Sequence, residues 1–375
     1  MTATEAVKKK VQSFYSLPRD SVFIKILIII ALLYLFMLSI TLLGSSFKLF
    51  GKEFAETIFG ATSNPLVGLM IGILATAVIQ SSSTTTSIII GLVASGILSF
   101  ENAIPMVMGA NIGTTITNTI VSLAHISRGD EYRRAFAGSS LHDFFNICSV
   151  IVLFPLQVYF NIIGRSARAM ESLFAGFGGI QFSSPLGAIT KPVAHEIISF
   201  TGDSAWLSVL IAMFFLFMAL RYIVKILKLL VLSRVEVFFQ RYVFRTPALG
   251  FLLGIGLTVL VQSSSITTSL IVPLCGAGVL HLEQIFPYLL GANVGTTITA
   301  FLASFVTGSH DAVSVAFAHL IFNVYGIVIF WPLKKIPILI AKKFSALTQK
   351  SKLIPIIYIL VAFYLIPGLI IYFMG

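Results

Sequence analysis

Charge is what this 375-residue chain has least of: Asp, Glu, Lys and Arg together make up 10% of it, with 14 acids against 25 bases. A water-soluble domain carries about 25% charged residues, so this content, set beside 57% apolar residues, excludes an ordinary globular protein and requires an integral membrane protein. Cysteine is nearly absent. Cys148 and Cys275 both fall in apolar segments, which excludes a disulfide framework and a cysteine metal centre and leaves packing as their role. There is no Asn-x-Ser/Thr sequon, a weak sign of a prokaryotic plasma membrane. No Gly-x-Ser-x-Gly elbow is present either, which argues against an intramembrane serine hydrolase. The first apolar run exceeds a signal-peptide core and lacks a small-residue cleavage site, so no cleavable signal is expected.

Apolar stretches of the roughly 20 residues needed to cross a bilayer recur at 21–43, 102–126, 135–163, 204–224, 284–307, 312–333 and 353–373. These seven spans predict an all-α polytopic protein. With residues 1–20 as a cytoplasmic segment, the inside loops collect Lys8, Lys9, Lys10, Arg19, Arg128, Arg133 and Arg134. They also hold the runs Arg221 to Arg245 and Lys334 to Lys352, the latter forming a basic loop over 334–352. Only Lys48, Lys52, Arg165, Arg168 and Lys191 fall outside, as the positive-inside rule predicts. The outer loop spans 164–203, and the last span, within 353–375, leaves the C-terminus outside.

The chain repeats itself. PLVGLMIGILATAVIQSSSTTTSIIIGLVASGILSFENAIPMVMGANIGTTIT, from Pro65, matches PALGFLLGIGLTVLVQSSSITTSLIVPLCGAGVLHLEQIFPYLLGANVGTTIT, from Pro247, at a constant offset of 182. After an indel, His142 and Asn146 pair with His319 and Asn323, and Phe154-Pro155 with Trp331-Pro332. The apolar arms flanking each Gln-Ser-Ser-Ser, near 65–79 and 84–98 in the first copy, are short: about 15 residues at 1.5 Å rise reach about 22 Å, against a hydrocarbon core of about 30 Å. Each Gln-Ser-Ser-Ser segment is therefore expected to be a re-entrant hairpin, over about 65–98 and 247–280, with its tip near the midplane. Three crossings per half is an odd number, so the halves, 21–163 and 204–333, are expected to be inverted repeats whose tips face each other.

Four polar residues inside an apolar hairpin are costly unless bonded. At a tip, the end of the first arm presents free carbonyls and the start of the second presents N–H groups at a positive dipole end. Such a tip suits a cation and an anion side by side. The second repeated motif, Gly109 to Thr115 with its copy Gly291 to Thr297, places glycines, an asparagine and two hydroxyls inside a span. Its glycines allow close helix packing, and Asn111 and Asn293 favour a broken helix facing the tips. In the third motif, His142 and Asn146 lie one turn apart, as do His319 and Asn323, so each pair shares a helix face. Asp143 is the one carboxylate well inside a span, a functional candidate by default; Leu320 stands at the paired position. No Lys or Arg occurs from Glu53 to Ser127 or from Thr246 to Leu333, so the site is expected to hold a divalent anion only alongside bound cations such as Na+. Lys191 and His195 read as a solvated loop, Glu101 and Glu283 as helix-start residues.

At VIQSSSTTTSIII, MGANIGTTITNTIV, RRAFAGSSLHDFFN, VQSSSITTSL, LGANVGTTITAFLAS and FYLIP, the chain closely resembles the type II sodium/phosphate cotransporter family. The resemblance covers about residues 65–160 and 247–373. It implies sodium-coupled symport of inorganic phosphate, mainly HPO4 2−, by alternating access across the plasma membrane, the inner membrane if the source is bacterial. Na+ is then the coupling ion and no other cofactor is implied. Carried over, the resemblance gives phosphate to Ser81, Ser82, Ser83, Ser263, Ser264, Ser265, Asn111 and Asn293. It gives sodium to Gln80, Gln262, Ser83, Ser265, Thr114, Thr115, Thr296, Thr297, Asp143, Asn146 and Asn323. The acidic residue at Asp143 resembles that of members whose transport moves net charge, which implies electrogenic coupling. The outer loop lacks the cysteines of the animal members' disulfide. The alternatives are a carrier of another small oxyanion, sulfate or arsenate, and, remotely, a hydrolase using Ser81 to Ser83 with His142 or His319.

Overall fold

The computed structural model describes residues 19–127, 129–176, 185–242 and 246–375. The described residues are helical throughout, without a strand. The first half comprises α1 (Arg19–Lys48), α2 (Gly51–Thr62), α3 (Pro65–Ile79), α4 (Ser82–Ser95), α5 (Phe100–Gly113), α6 (Ile116–Ser122) and α7 (Gly129–Phe160). Two helices, α8 (Ile162–Gly176) and α9 (Pro185–Phe200), lead into the second half. That half comprises α10 (Ala205–Tyr242), α11 (Pro247–Val261), α12 (Ser264–Ser269), α13 (Ile271–Gly276), α14 (Leu282–Thr307) and α15 (His310–Phe330). The chain closes with α16 (Lys335–Ala346), α17 (Ile354–Leu360) and α18 (Ile366–Met374), the last two joined by a π-helical turn.

Among the described residues, six segments are long and apolar enough to span a bilayer: Leu27–Lys48, Gly129–Phe160, Ala205–Ile223, Leu282–Thr307, His310–Phe330 and Ile354–Met374. The seventh expected span, 102–126, is interrupted between α5 and α6. The cause is a stolen carbonyl: Asn146 Nδ2 donates to the Asn111 oxygen at 2.9 Å, so the Thr115 N–H turns to Ile112 O instead. Nothing takes the Asn293 carbonyl in the second half, and α14 runs unbroken through Gly291 to Thr297. The expected outer loop and the basic loop are also helical in part, as α8, α9 and α16. The expected N-terminal segment lies, up to residue 18, outside the described residues.

Glycine sets how closely the central helices approach. A methyl group on Gly109 would run into the Leu69 carbonyl oxygen and one on Gly72 into that of Met106, which fixes α5 against α3. In the second copy Gly291 and Gly254 meet Phe251 and Tyr288 in the same way, fixing α14 against α11. Around these pairs, α1 packs along α10, α8 along α15 and α16 along α7. The C-terminal segment lies against α3, where the Tyr364 hydroxyl donates to Ala77 O at 3.1 Å.

Candidate functional site

Both Gln-Ser-Ser-Ser segments fold identically for local reasons. Gln80 and Gln262 each end a helix in the left-handed conformation, at φ 59° and 55°, a state that costs a non-glycine residue about 1–2 kcal/mol. Each N–H donates back one turn, at 2.7 Å, to Thr76 O and Thr258 O respectively. The next serine is extended and caps the following helix: Ser81 Oγ accepts from Thr84 N at 3.2 Å, and Ser263 Oγ from Ile266 N at 3.4 Å. The cap spends the first serine of each triplet and leaves the others free. Ser82, Ser83, Ser264 and Ser265 are buried, yet their side-chain hydroxyls hydrogen-bond no protein atom among the described residues. None of the four is among the fully buried polar atoms left without a partner, so these hydroxyls keep contact with solvent and are open to a ligand.

The two tips share a cavity of about 240 Å³, lined by Ser81, Ser83 and Thr84 from the first copy and Gln262, Ser263 and Ile266 from the second. Gln262 is held by Thr299, whose hydroxyl donates to its side-chain oxygen at 2.8 Å. Arg221, from α10, lines the same wall. Its presence corrects the expectation of a site without a cationic side chain. The sequence places Arg221 in a basic run after a span, and only the packing of α10 beside α4 and α11 brings it to the serines.

A hydrogen-bonded relay joins the halves nearby. The Thr268 hydroxyl donates to Asn118 Oδ1 at 3.0 Å, and Asn118 Nδ2 faces His142 Nδ1 at 3.4 Å. His142 Nε2 then lies 2.6 Å from Asn293 Oδ1. Asn293 Nδ2 donates to Asn146 Oδ1 at 2.8 Å, and Asn146 Nδ2 donates to the Asn111 carbonyl. This order of donors assigns His142 one neutral tautomer, with its proton on Nε2. The reciprocal contact is longer: His319 Nε2 stands 3.4 Å from Asn111 Oδ1. Each half's histidine thus meets the other half's asparagine. Asn323 donates only to its own helix, at His319 O, and its Oδ1 has no partner.

Asp143 is fully buried. Its Oδ2 accepts from the Thr119 hydroxyl at 3.1 Å, while Oδ1 has no hydrogen-bond partner. The Tyr358 hydroxyl faces this carboxylate, but without hydrogen-bonding geometry. A half-satisfied carboxylate ringed by hydroxyls supplies hard oxygen ligands of the kind an alkali cation takes.

The structure therefore gathers Ser81, Ser83, Gln262 and Ser263 at the cavity, and Asn111, Asn146 and Asn293 in the relay; Ser82, Ser264 and Ser265 lie off the cavity wall, and the Ser264 carbonyl only competes with Asn118 for the single Thr268 proton. It does not gather all the expected ligands. Gln80 is exposed and lines no part of the cavity. Thr114, Thr296 and Thr297 donate only to carbonyls of their own helices; Thr115 donates to Ile112 O, and its hydroxyl also faces Asp143 beside Thr119. Arg221, Asn118, Thr119 and Tyr358 are the additions. Asn118 and Thr119 directly follow the Gly109 to Thr115 motif, in the stretch TNT, and lie one helical turn beyond it. The ring nitrogens of His142 meet Asn118 and Asn293, and His319 meets Asn111, so neither histidine weighed as a base pairs with a tip serine as in a serine hydrolase.

Among the described residues, six membrane-length helices, a buried polar motif duplicated in both halves and a cavity between the two serine tips define a helical membrane protein with a polar site inside it. The chain belongs to the Na+/Pi-cotransporter family, whose sequence profile matches residues 35–183 and 205–349. Among its relatives, the sodium-dependent phosphate transport protein 2A of Ovis aries is 33% identical over 92% of this chain and 67% of its own length. The 2A protein of Rattus norvegicus shows the same identity and coverage. The 2B protein of Pongo abelii is 30% identical over 92% of this chain and 64% of its own. The chain thus spans about two thirds of the length of these curated relatives. No solved structure matches.

Proposed function

We propose that this protein carries inorganic phosphate across the plasma membrane together with Na+, by alternating access. The single observation that carries the reading is the cavity shared by the two serine tips. It has room for several water-sized groups at about 30 Å³ each, and the Ser83 hydroxyl, which no protein group takes, stands on its wall beside the capping serines Ser81 and Ser263. HPO4 2− both donates and accepts hydrogen bonds, as serine hydroxyls do. The relatives bear the name of sodium-dependent phosphate transport proteins, which fits this chemistry.

Charge balance supports the coupling. Arg221 offsets one of the two negative charges of the anion, and the remainder is costly at membrane depth unless Na+ binds with it. The cation ligands in this reading are Gln262, Ser83, Ser265, the threonines of the Gly-Ala-Asn motifs, Asn146, Asn323 and Asp143. Gln80 remains a ligand only if its side chain swings inward from its exposed position. Asn111 and Asn293 complete the anion site when the relay opens.

The topology belongs to the same proposal. Arms of 15 and 14 residues, Pro65–Ile79 and Ser82–Ser95, are too short to cross and suit a re-entrant hairpin; α11 to α13 suit a second. The reciprocal pairing of His142 with Asn293 and His319 with Asn111 is what a two-fold relation between halves produces; inversion of the halves, with the N-terminus inside and the C-terminus outside, rests on the odd crossing count and the basic inner loops. The broken first copy and unbroken second copy are the asymmetry that alternating access exchanges between halves.

Two measurements probe the site. Arg221→Gln will raise the KM for phosphate about 10- to 100-fold, the loss of one charge-assisted hydrogen bond of about 1.5–3 kcal/mol, and leave sodium activation in place; initial rates of labelled phosphate uptake test it, and an unchanged KM removes Arg221 from the site. Asp143→Asn will keep uptake but lose its acceleration by an inside-negative potential, because the carboxylate no longer brings an extra Na+ across. Uptake into potassium-loaded, valinomycin-treated proteoliposomes measures this, and undiminished voltage dependence refutes the assignment.

A further inference from the structure

Away from the transport cavity, the two halves differ in the charges that tie their edge helices together. In one corner Arg168 of α8 is clamped between carboxylates: its guanidinium lies 3.1 Å from Glu101 of α5 and 3.0 Å from Asp311 of α15, and stacks over the Phe100 ring at 4.4 Å. His310 pairs with Glu171 beside it, at 2.6 Å. Three helices are thus held by a closed set of opposite charges.

The repeat places a corresponding corner in the other half. At the 182-residue offset Glu101 corresponds to Glu283 and Phe100 to Leu282. At the 177-residue offset that pairs His142 with His319, Asp311 corresponds to Arg134, His310 to Arg133 and Arg168 to Ser345. One carboxylate has become an arginine, and the guanidinium that filled the middle has become a serine. Ser345 leaves an opening where Arg168 stands in the first corner, a cavity of about 370 Å³ lined by Arg133, Arg134, His281, Glu283, Lys342 and Ser345.

The charges around this cavity do not close. Glu283, the one carboxylate on its wall, is already held by Lys342 at 2.7 Å. Arg134 uses Nε on the Gly276 carbonyl at 2.8 Å, and its two terminal nitrogens have no partner among the described residues. Arg133 reaches only Asp130, at 3.5 Å with both side chains well exposed, a contact worth little. The wall therefore offers free guanidinium donors where the other corner offers a carboxylate, and guanidinium groups match the oxygens of a phosphate group.

We propose that this cavity is a second anion site, separate from the transport site, which binds a phosphate group either as free phosphate or as the headgroup of an anionic lipid. The bound anion takes the place that Asp311 holds in the opposite corner, bridging α7 to α16 beside α14. The proposed topology sets only its side, the cytoplasmic one, where basic pockets between helix ends meet anionic headgroups.

The test uses the full-length protein in sodium-free choline medium. One arm measures equilibrium binding of labelled inorganic phosphate. The other reconstitutes the protein in phosphatidylcholine vesicles with or without phosphatidic acid and counts retained phosphatidic acid by native mass spectrometry. Arg133→Gln with Arg134→Gln will weaken binding at least about tenfold in the arm that matches the ligand. Ser345→Phe, which fills the space without adding a charge and spares the Arg134 contact to Gly276, will do the same. A response in the first arm assigns free phosphate, and a response in the second assigns a lipid headgroup. If neither arm separates the variants from the wild type, the site does not exist. Sodium-driven uptake by the variants serves as the folding control, and its absence in every form including the wild type counts against the transport reading, not this one.

Discussion

Asn293→Ala will lower sodium-driven phosphate uptake on the order of 100-fold while the protein still reaches the membrane. Asn293 is the one side chain that bonds both His142 and Asn146, at 2.6 and 2.8 Å, and both of those are fully buried on α7. Its removal leaves two buried polar groups without partners, at about 1–3 kcal/mol each, and a sum of that size is about two powers of ten in an equilibrium. The loss falls on the junction between the halves, where the carrier must rearrange, and not on the outer helices. Asn293→Asp keeps the acceptor for His142 but loses the donor to Asn146 and puts a negative charge in a buried position assigned to the anion, so it will impair uptake at least as much as Ala. Uptake rates normalised to surface-labelled protein measure both, and near-normal uptake by the Ala variant would remove the relay from the mechanism.

Gly109→Ala and Gly291→Ala will each prevent stable folding, although a single methyl is added. The new carbon meets a backbone carbonyl oxygen, Leu69 or Phe251, which no rotamer change can move aside. Overpacking a well-fitted core costs about 1–3 kcal/mol and occasionally more, and here the shift must separate α3 from α5 or α11 from α14, the helices that carry the serine tips. Gly256→Ala supplies the control. It lies on α11 with nothing within 4 Å of an added carbon, so it will be tolerated or slightly stabilising by the helix preference of alanine. Detergent-solubilised yield and a monodisperse elution profile distinguish the outcomes; equal behaviour of all three variants would contradict the packing account.

Most of this architecture is legible in the sequence because duplication states it twice. The repeat at 182 residues gives the position of both tips, and the helix ends at Gln80 and Gln262 follow from local capping by Ser81 and Ser263. The shared cavity and the reciprocal His-Asn contacts are not legible, since both depend on how separate helices meet. Arg221 shows why: 41 residues before Gln262, it reads as one more basic residue at the end of a span. The break in α5 and α6 is likewise invisible, because GANIGTT and GANVGTT are nearly the same seven residues. What differs is Asn146, which reaches the Asn111 carbonyl, while Asn323 stays on its own helix. Asp143 stands out in the sequence as a lone intramembrane acid, but its ring of Thr119 and Tyr358 comes from α6 and α17, distant in the chain.

The central claim is that Na+ completes the charge balance of a phosphate site built from the two serine tips and Arg221. Uptake of labelled phosphate into proteoliposomes under an imposed inward sodium gradient measures it most directly. Uptake that follows the sodium gradient and collapses when choline replaces Na+ on both sides is the predicted result; uptake undiminished without sodium would contradict it.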